Sequence, residues 1–221
     1  MQKKIRKYVI AGGGTAGWMA AAMLSKTMGK EISITLVESD ALGTIGVGEA
    51  TIPPILRFNQ LLGINEAEFM RETMATFKLG IQFENWKTGD DAYLHAFGNL
   101  GKSHWSCGFH NFWLAGKQRG MGGDFGEYCL ETQAARLNRF AQLPDNGLHY
   151  AYHLDATRYA AYLRKLAEEN GVVRQEGKIS DVVLDAQTGN IASLKLETGD
   201  NVEGDFFLDC TGFRALLMGR A

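Results

Sequence analysis

The stretch YVIAGGGTAGWMAAAMLSKT, residues 8–27, decides the fold. Tyr8–Ala11 predicts a short buried strand that runs directly into a glycine turn, and residues 18–27, rich in Ala, Met and Leu, predict a helix. A second strand is predicted at Ile32–Glu38, where β-branched residues alternate and an acid ends the run. Strand, helix and strand at this spacing predict a parallel sheet with a right-handed crossover.

The glycine turn predicts a dinucleotide site, because it lies between a strand and a helix, as the GxGxxG fingerprint requires. Gly12 permits the tight turn, Gly14 lets the backbone approach a pyrophosphate, and Gly17 permits close packing of helix on strand. The helix N-terminus, with Thr15 and Ala16, supplies N–H groups and a positive dipole for the phosphates.

The nucleotide is predicted to be FAD. Glu38, 21 residues after Gly17, is placed to accept hydrogen bonds from an adenosine ribose and would repel a 2′-phosphate. Val202–Gly212 is an apolar strand that ends in a small-residue turn, and flavoproteins of the two-dinucleotide-binding class commonly return such a strand to FAD after a β-meander. Residues 171–201 resemble that meander. Ile179 is a candidate adenine contact or, equally well, a core residue, and Gly212 is a further candidate contact.

Composition narrows the function classes. The 221 residues are 45% hydrophobic and 22% charged, and a net charge of −2 gives no basic surface for nucleic acid. No apolar stretch approaches the roughly 20 residues that span a bilayer, and no signal peptide is recognised. Cys107, Cys129 and Cys210 form neither a disulfide framework nor a metal pair, which predicts a reduced cytoplasmic protein. The histidines show no metal-ligand spacing, and those at 104, 110, 149 and 153 are interpreted as structural or surface residues.

The rest of the chain alternates loops, helices and strands. Residues 41–54 form a glycine-rich loop, and residues 98–126, rich in glycine and aromatics, predict either a functional loop or an insertion packed by its own aromatic side chains. Helices are predicted at Pro54–Leu62, at about 66–76, at 127–141, and at Asp155–Asn170, with Asp155 as N-cap and Gly171 as the stop. Strands are predicted at Val172–Gln175, Ile179–Leu184, Ile191–Glu197 and Val202–Asp209.

Several segments together resemble the flavin-dependent tryptophan halogenase family. They are GGGTAGWM at 12–19, GVGEATIP at 46–53, ATFKLGIQFENW at 75–86, HAFG at 95–98, YHLD at 152–155 and DCTGFR at 209–214. The resemblance implies an α/β fold: an FAD-binding Rossmann-like domain of the two-dinucleotide-binding class, with a β-meander and an inserted, loop-rich, partly helical substrate region. We expect residues 1–80 to form the FAD-binding βαβ unit and flavin-covering loop, 81–150 the substrate region, and 151–221 the return to the FAD domain.

The family's chemistry implies roles for particular residues. FADH2 delivered by a separate flavin reductase reacts with O2 and a halide ion to give hypohalous acid. A lysine, here Lys78, then holds the oxidant by hydrogen bonding or as a haloamine, and an electron-rich aromatic ring such as tryptophan or another indole is substituted. Ala50 and Thr51 match positions near the isoalloxazine. His95 and Phe97 match the pair that sandwiches an indole, where stacking leaves the reacting carbon accessible.

The resemblance covers only the N-terminal part of the family. The WxWxIP segment has no counterpart, and neither does the acidic residue that pairs with the lysine or a later FAD-contacting segment. We expect either a piece of a longer gene product or a shortened relative, and a chain of this length to lack part of the flavin cradle. An aromatic monooxygenase of the same fold and a catalytically inactive FAD-binding fragment remain as alternatives. The family suggests a homodimer.

Overall fold

The computed structural model describes residues 4–42, 50–142 and 147–220. It divides into two compact units: unit 1 comprises Met1–Glu49, Asn59–Ala75 and Leu154–Ala221, and unit 2 comprises Ala50–Phe58 and Thr76–His153. Half of the predicted glycine-rich loop of residues 41–54, namely residues 43–49, lies outside the described residues. The domain boundaries expected at residues 80 and 150 stay a prediction.

The described residues form eleven β-strands and six α-helices. The strands are β1 Lys7–Ala11, β2 Ser33–Glu38, β3 Thr76–Lys78, β4 Gly80–Glu84, β5 Ala92–Ala96, β6 Ala151–His153, β7 Val173–Glu176, β8 Ile179–Leu184, β9 Ile191–Leu196, β10 Asn201–Glu203 and β11 Phe206–Asp209. The α-helices are α1 Thr15–Met28, α2 Pro54–Leu62, α3 Glu66–Thr73, α4 Phe109–Gln118, α5 Leu130–Arg136 and α6 Ala156–Glu169. Short 3-10 helices lie at Gly29–Glu31, Phe125–Tyr128 and Gly212–Arg214.

Unit 1 is built on a parallel sheet in the strand order β11-β1-β2-β7. Helix α1 connects β1 to β2 and packs against α6, which in turn packs against α3. Asp155 caps α6 by accepting a hydrogen bond from the N–H of Arg158 at 2.9 Å, as predicted. The N-terminal βαβ unit is therefore the one that the opening stretch predicts.

The predicted meander is also present in unit 1, as the antiparallel sheet β10-β9-β8. Val9, Ala11 and Val37 of the parallel sheet pack with Leu194 and Leu196 of the meander in one buried cluster. Side chains alternate across a strand, so the intervening residues of β1 and β2 face the other side of the sheet. Both faces of these two strands are consequently buried, as is usual for a parallel sheet.

The predicted strand at 202–209 is in fact two strands that belong to different sheets. β10 pairs with β9 in the meander, whereas β11 pairs with β1 in the parallel sheet. The break falls at Gly204 and Asp205, where the Asp205 carboxylate accepts hydrogen bonds from the N–H groups of Arg6 and Lys7, both at 3.0 Å. This link to the start of β1 directs the chain from one sheet into the other.

Unit 2 contains two short antiparallel strand pairs, β3 with β6 and β4 with β5. None of these strands was predicted, because they are only three or five residues long and carry no strong turn signal. Phe77 of β3 stacks on Phe140 at a centroid distance of 3.8 Å, and Tyr150 packs edge-on against both rings. Tyr152 packs edge-on against Tyr150 and at a tilt against Phe77. The segment 98–126, predicted as loop, contains helix α4.

The predicted helix at 127–141 is wrong in its length. A 3-10 turn precedes α5, and α5 ends at Arg136 because Asn138 adopts a left-handed conformation with φ 51°. The N–H of Arg139 bonds to the carbonyl of Ala134 at 2.8 Å, and that of Asn138 to Ala135 at 3.1 Å. These two bonds form a Schellman C-cap, in which asparagine takes the place of the usual glycine.

Candidate functional site

The glycine turn of unit 1 has the geometry of a phosphate-binding loop. Gly12 has φ 105°, and a Cβ there would overlap the carbonyl oxygen of Cys210. At Gly17 a Cβ would overlap the carbonyl oxygen of Gly12, so the helix can approach the strand only with glycine at that position. At Gly14 a Cβ would meet no heavy atom of the described residues within 4 Å, which leaves open space beside the backbone.

Helix α1 begins directly at this turn. Its first residues are Thr15, Ala16 and Gly17, whose N–H groups have no partner within the helix. The N–H of Trp18 bonds to the carbonyl of Gly14 at 3.1 Å and closes the first turn. A helix N-terminus next to an open glycine backbone suits a pyrophosphate, so the residues present fit the phosphate end of a dinucleotide such as FAD.

Glu38 ends β2 beside this turn. A Cβ at Gly13 would overlap its carboxylate, so the acid lies directly against the glycine backbone. Trp18 Nε1 donates to Oε2 of Glu38 at 3.3 Å, and Arg174 Nε donates to Oε1. The carboxylate therefore occupies the position expected of a ribose-binding acid, although its contact with a ribose stays a prediction.

The other predicted nucleotide contacts of unit 1 lie in different surroundings. Gly212 is exposed, with φ 63°, at the start of a 3-10 turn after β11. Asp209 organises that turn: its carboxylate accepts from the N–H groups of Thr211, Leu217 and Met218 at 3.0, 2.9 and 3.0 Å. Ile179 packs against the buried cluster between sheet and meander, which is the environment of a core residue. Its contact with adenine stays a prediction.

Lys78 is the central side chain of the candidate site in unit 2. It is only 7% exposed, and Nζ donates to the carbonyl oxygen of Thr51 at 2.9 Å. Nζ also lies 5.5 Å from the centroid of the Phe97 ring, within the range of a cation–π contact. Burial lowers the pKa of Lys78, because removal from water disfavours the charged form.

Thr51 is fixed by its own bonds to β6. Its N–H and its hydroxyl both donate to the carbonyl of Tyr152, at 2.9 and 3.0 Å, and its hydroxyl accepts from the N–H of Tyr152 at 3.0 Å. Ala50 pairs with His153 in an isolated bridge. The segment predicted to lie near the isoalloxazine therefore supplies the acceptor that holds Lys78.

A cavity of about 650 Å³ lies beside Lys78 in unit 2, within the usual size range of small-molecule sites. Apolar side chains dominate its wall, which Lys78 and His153 share. Burial and then the charge of Lys78 lower the pKa of His153. The wall includes Ala50, Phe77, Leu79, Ile81, Leu94, Phe140 and His153.

The two predicted substrate residues differ in placement. Phe97 lies near Lys78, and its N–H bonds to the carbonyl of Leu79 at 2.9 Å. His95 pairs with Ile81 across β4 and β5, and its side chain is exposed and does not line the cavity. The structure therefore brings Phe97 and Lys78 together, but neither Phe97 nor His95 belongs to the cavity wall.

Glu131 is a buried acid that sequence reasoning missed. It is 3% exposed and accepts from the N–H and Nδ1 of His149, at 2.8 and 3.0 Å, and from the thiol of Cys129 at 3.3 Å. A Cβ at Gly98 would overlap its carboxylate. Burial alone would raise the pKa of Glu131, but the bonds from His149 and Cys129 outweigh it and the pKa is lowered.

Two residues of the cavity wall were not predicted from the sequence. Phe140 lies in no motif that was recognised, and His153, which belongs to the YHLD segment, was interpreted as a structural or surface residue; both reach the cavity through contacts between segments far apart in sequence. In residues 4–42, 50–142 and 147–220, no group of three His, Cys, Asp or Glu side chains could hold a metal ion. None of the helices in these ranges is long and apolar enough to cross a membrane.

Comparisons with known proteins place this geometry in a family. The family profile described as tryptophan halogenase matches residues 7–221. The tryptophan 7-halogenase RebH of Lentzea aerocolonigenes is 39% identical over the whole chain, and the tryptophan 6-halogenase ThaL of Streptomyces albogriseolus is 36% identical over the same extent. The chain spans 45% of the length of each of these two relatives.

Solved structures agree with the sequence comparison. A flavin-dependent halogenase from Xanthomonas campestris is 58% identical with a TM-score of 0.92, over 98% of this chain and 44% of that one. BrvH, a flavin-dependent halogenase from Brevundimonas sp. BAL3, is 39% identical with a TM-score of 0.87, again over 98% of this chain and 44% of that one. The predicted FAD-binding Rossmann-like α/β fold is thereby confirmed, and the chain belongs to the tryptophan halogenase family.

Proposed function

We propose that the protein is an FAD-dependent halogenase of an electron-rich aromatic substrate, such as tryptophan or another indole, and that Lys78 carries the reactive halogen. The observation that carries this proposal is the buried Lys78 ammonium, held by the carbonyl of Thr51 beside an apolar cavity. Membership of the family, and the two tryptophan halogenases among its relatives, support the same activity.

The nucleotide residues of unit 1 would hold the cofactor. The open backbone at Gly14 and the N–H groups of Thr15, Ala16 and Gly17 suit its pyrophosphate, and Glu38 suits its adenosine ribose. When bound, FADH2 supplies hypohalous acid by reaction with O2 and a halide ion. Three further contacts with the cofactor are proposed. Ile179 would contact the adenine, Ala50 and Thr51 would lie near the isoalloxazine, and Gly212 would contact the dinucleotide.

Lys78 can act on hypohalous acid in two ways. As an ammonium it donates a hydrogen bond that orients and polarises the acid. As a neutral amine it exchanges N–H for N–halogen, with water as the other product, and the halogen then replaces a proton on the aromatic ring. The lowered pKa of Lys78 increases the neutral fraction at a given pH and therefore favours the second route.

The aromatic substrate is proposed to stack near Phe97, with His95 on its other face as the family resemblance implies. Phe97 lies close to Lys78, which suits a ring that must present one carbon to the halogen. A separate flavin reductase as supplier of FADH2, a homodimeric assembly and a cytoplasmic location belong to the same proposal. The three cysteines, which are free in the structure, support the location.

The test measures halogenation by the product of the complete gene. The protein is incubated with FAD, NADH, a flavin reductase, bromide or chloride, and tryptophan or indole, and products are identified by mass spectrometry. Lys78→Met, which keeps the chain length and removes the nitrogen, should lower halogenation by about 10²- to 10⁴-fold. Lys87→Met, at an exposed lysine of the same unit, should leave it unchanged.

The outcomes separate the alternatives. Loss of halogenated product with undiminished oxidation of FADH2 supports the proposal, whereas full halogenation by Lys78→Met overturns the role of the lysine. A hydroxylated product that forms without halide, and survives Lys78→Met, identifies an aromatic monooxygenase instead. Failure of the wild-type protein to bind FAD identifies an inactive relative.

A further inference from the structure

Both oxygens of the Glu38 carboxylate are held by side chains from other elements of unit 1. Trp18 Nε1, on α1, donates to Oε2 at 3.3 Å, and Arg174 Nε, on β7, donates to Oε1. Arg164 Nη1, on α6, lies 3.7 Å from the same Oε1, and its guanidinium lies 5.9 Å from the centre of the Trp18 ring. The Glu38 side chain is 16% exposed, so these bonds are only partly screened by water.

The two main donors are themselves rigid. Trp18 is 1% exposed, and no other residue type combines its size with a ring N–H that can reach an acid. Arg174 lies beside Leu36 in the parallel register of β7 with β2, and its side chain is 14% exposed. Both side chains are therefore fixed by packing before any ligand binds, which is what an orienting role requires.

Arg174 also prevents repulsion between acids. Its guanidinium pairs with Asp40 and, at 2.8 Å, with Glu176, as well as with Glu38. Without this cation three carboxylates would meet at one end of the sheet, and like charges would drive Glu38 away from the glycine turn. The arginine thus fixes the position of the acid through charge as well as through a hydrogen bond.

We infer that Trp18 and Arg174 are positioning residues that hold Glu38 against the glycine turn for recognition of an adenosine ribose. The inference rests on the proposed binding of FAD. A carboxylate has about four acceptor sites, of which Trp18, Arg174 and Arg164 use at most three, so at least one remains for a ribose hydroxyl. The position of Glu38 beside Gly13 places that acceptor next to the open backbone of the turn.

The test compares two nucleotides that differ only in the ribose hydroxyls. Dissociation constants for ADP and for 2′,3′-dideoxy-ADP are measured by calorimetry on the complete protein, together with that of FAD. We expect wild type to prefer ADP by about 10-fold or more, the effect of a hydrogen bond to a charged acceptor. Trp18→Phe and Arg174→Met should each reduce that preference severalfold, and Glu38→Ala should abolish it.

The ratio of the two constants distinguishes positioning from a general structural effect. A loss of packing would weaken both nucleotides equally and leave the ratio unchanged, and that result in both variants would overturn the inference. Asp40→Asn is the matched control, because it removes another partner of Arg174 and should keep the wild-type ratio. If wild type binds neither FAD nor ADP, the proposed flavin site itself fails. Trp18 and Arg174 lie on different elements, so either variant suffices if the other does not fold.

Discussion

Gly98→Ala should destabilise unit 2, because the added methyl group would displace the buried side chain of Glu131, and a double variant can test this cause. Gly98 follows Phe97, and a Cβ at this position would overlap the carboxylate of Glu131. Such an overlap is usually relieved when a flexible side chain moves away. Glu131, however, is 3% exposed and tied to His149 and Cys129, so it can move only by giving up those bonds.

The expected magnitude follows from the bonds at risk. The N–H of His149 donates at 2.8 Å and the Cys129 thiol at 3.3 Å, both to a buried carboxylate. The imidazole of His149 is 58% exposed, so its contact with Glu131 contributes little. Hydrogen bonds to charged groups contribute about 1.5–3 kcal/mol each, and we expect Gly98→Ala to cost about 3 kcal/mol of unfolding free energy.

The assay is urea unfolding of four proteins: wild type, Gly98→Ala, Glu131→Ala and the double variant. If the overlap with Glu131 is the cause, removal of that side chain makes room for the methyl group. The cost of Gly98→Ala should then fall to below about 0.5 kcal/mol in the Glu131→Ala background, which is a large coupling free energy. Gly89→Ala is the matched control, because a Cβ there would meet no atom of the described residues within 4 Å.

Additive costs would refute this reasoning. If Gly98→Ala destabilises the protein equally with and without the Glu131 side chain, the carboxylate is not what the methyl group displaces. A Gly98→Ala variant as stable as wild type would show that Glu131 has another satisfied position. A cost for Gly89→Ala similar to that for Gly98→Ala would point to a backbone effect of alanine instead.

Three further predictions concern pH, the lysine and the glycine turn. The pKa of Glu131 is lowered below its ordinary value of 4.5, so the ionised carboxylate should stabilise the folded protein above that pH. This contribution to the free energy of unfolding should be lost as the pH falls through the lowered pKa. Acid unfolding of Glu131→Gln should therefore depend less on pH in that range. Lys78→Met should leave the unfolding free energy within about 1 kcal/mol of wild type, since a lost bond to a carbonyl is offset by removal of a buried charge. Gly17→Ala should lower the free energy of unfolding, measured by thermal denaturation, by more than about 2 kcal/mol, because the added Cβ meets backbone atoms. Gly14→Ala should fold normally, because its Cβ meets no atom of the described residues, but should bind FAD more weakly in a calorimetric titration.

The nucleotide-binding half of the structure could be predicted because its signals are local. A strand, a glycine turn and a helix follow one another within residues 8–27, and Asp155 caps its helix by a bond to a residue three positions later. The strand at 202–209 shows where this reasoning ends. Its apolar pattern continues through Gly204 and Asp205, but the sheet changes there because Asp205 bonds to residues at the other end of the chain.

The candidate site in unit 2 depended instead on the family resemblance. Lys78 stands in a strand of three residues that no periodicity reveals, and Phe140 and His153 come to the cavity wall only through tertiary contacts. Helix α5 ends where Asn138 adopts a left-handed conformation. A glycine at this position would have predicted the helix end, whereas asparagine is a weaker signal. Propensity and spacing alone could therefore not assemble this site.

The partner of Lys78 bears on which of the two proposed routes operates. Among the described residues its ammonium bonds to the neutral carbonyl of Thr51, and no carboxylate forms an ion pair with it. A carbonyl dipole stabilises a positive charge less than an acid does, so burial prevails and the pKa of Lys78 is lowered. The family resemblance implies an acid near the lysine in longer members. A carboxylate close to Lys78 would raise the pKa of the lysine and favour the ammonium that orients hypohalous acid. A carboxylate farther away would favour the neutral amine that accepts the halogen.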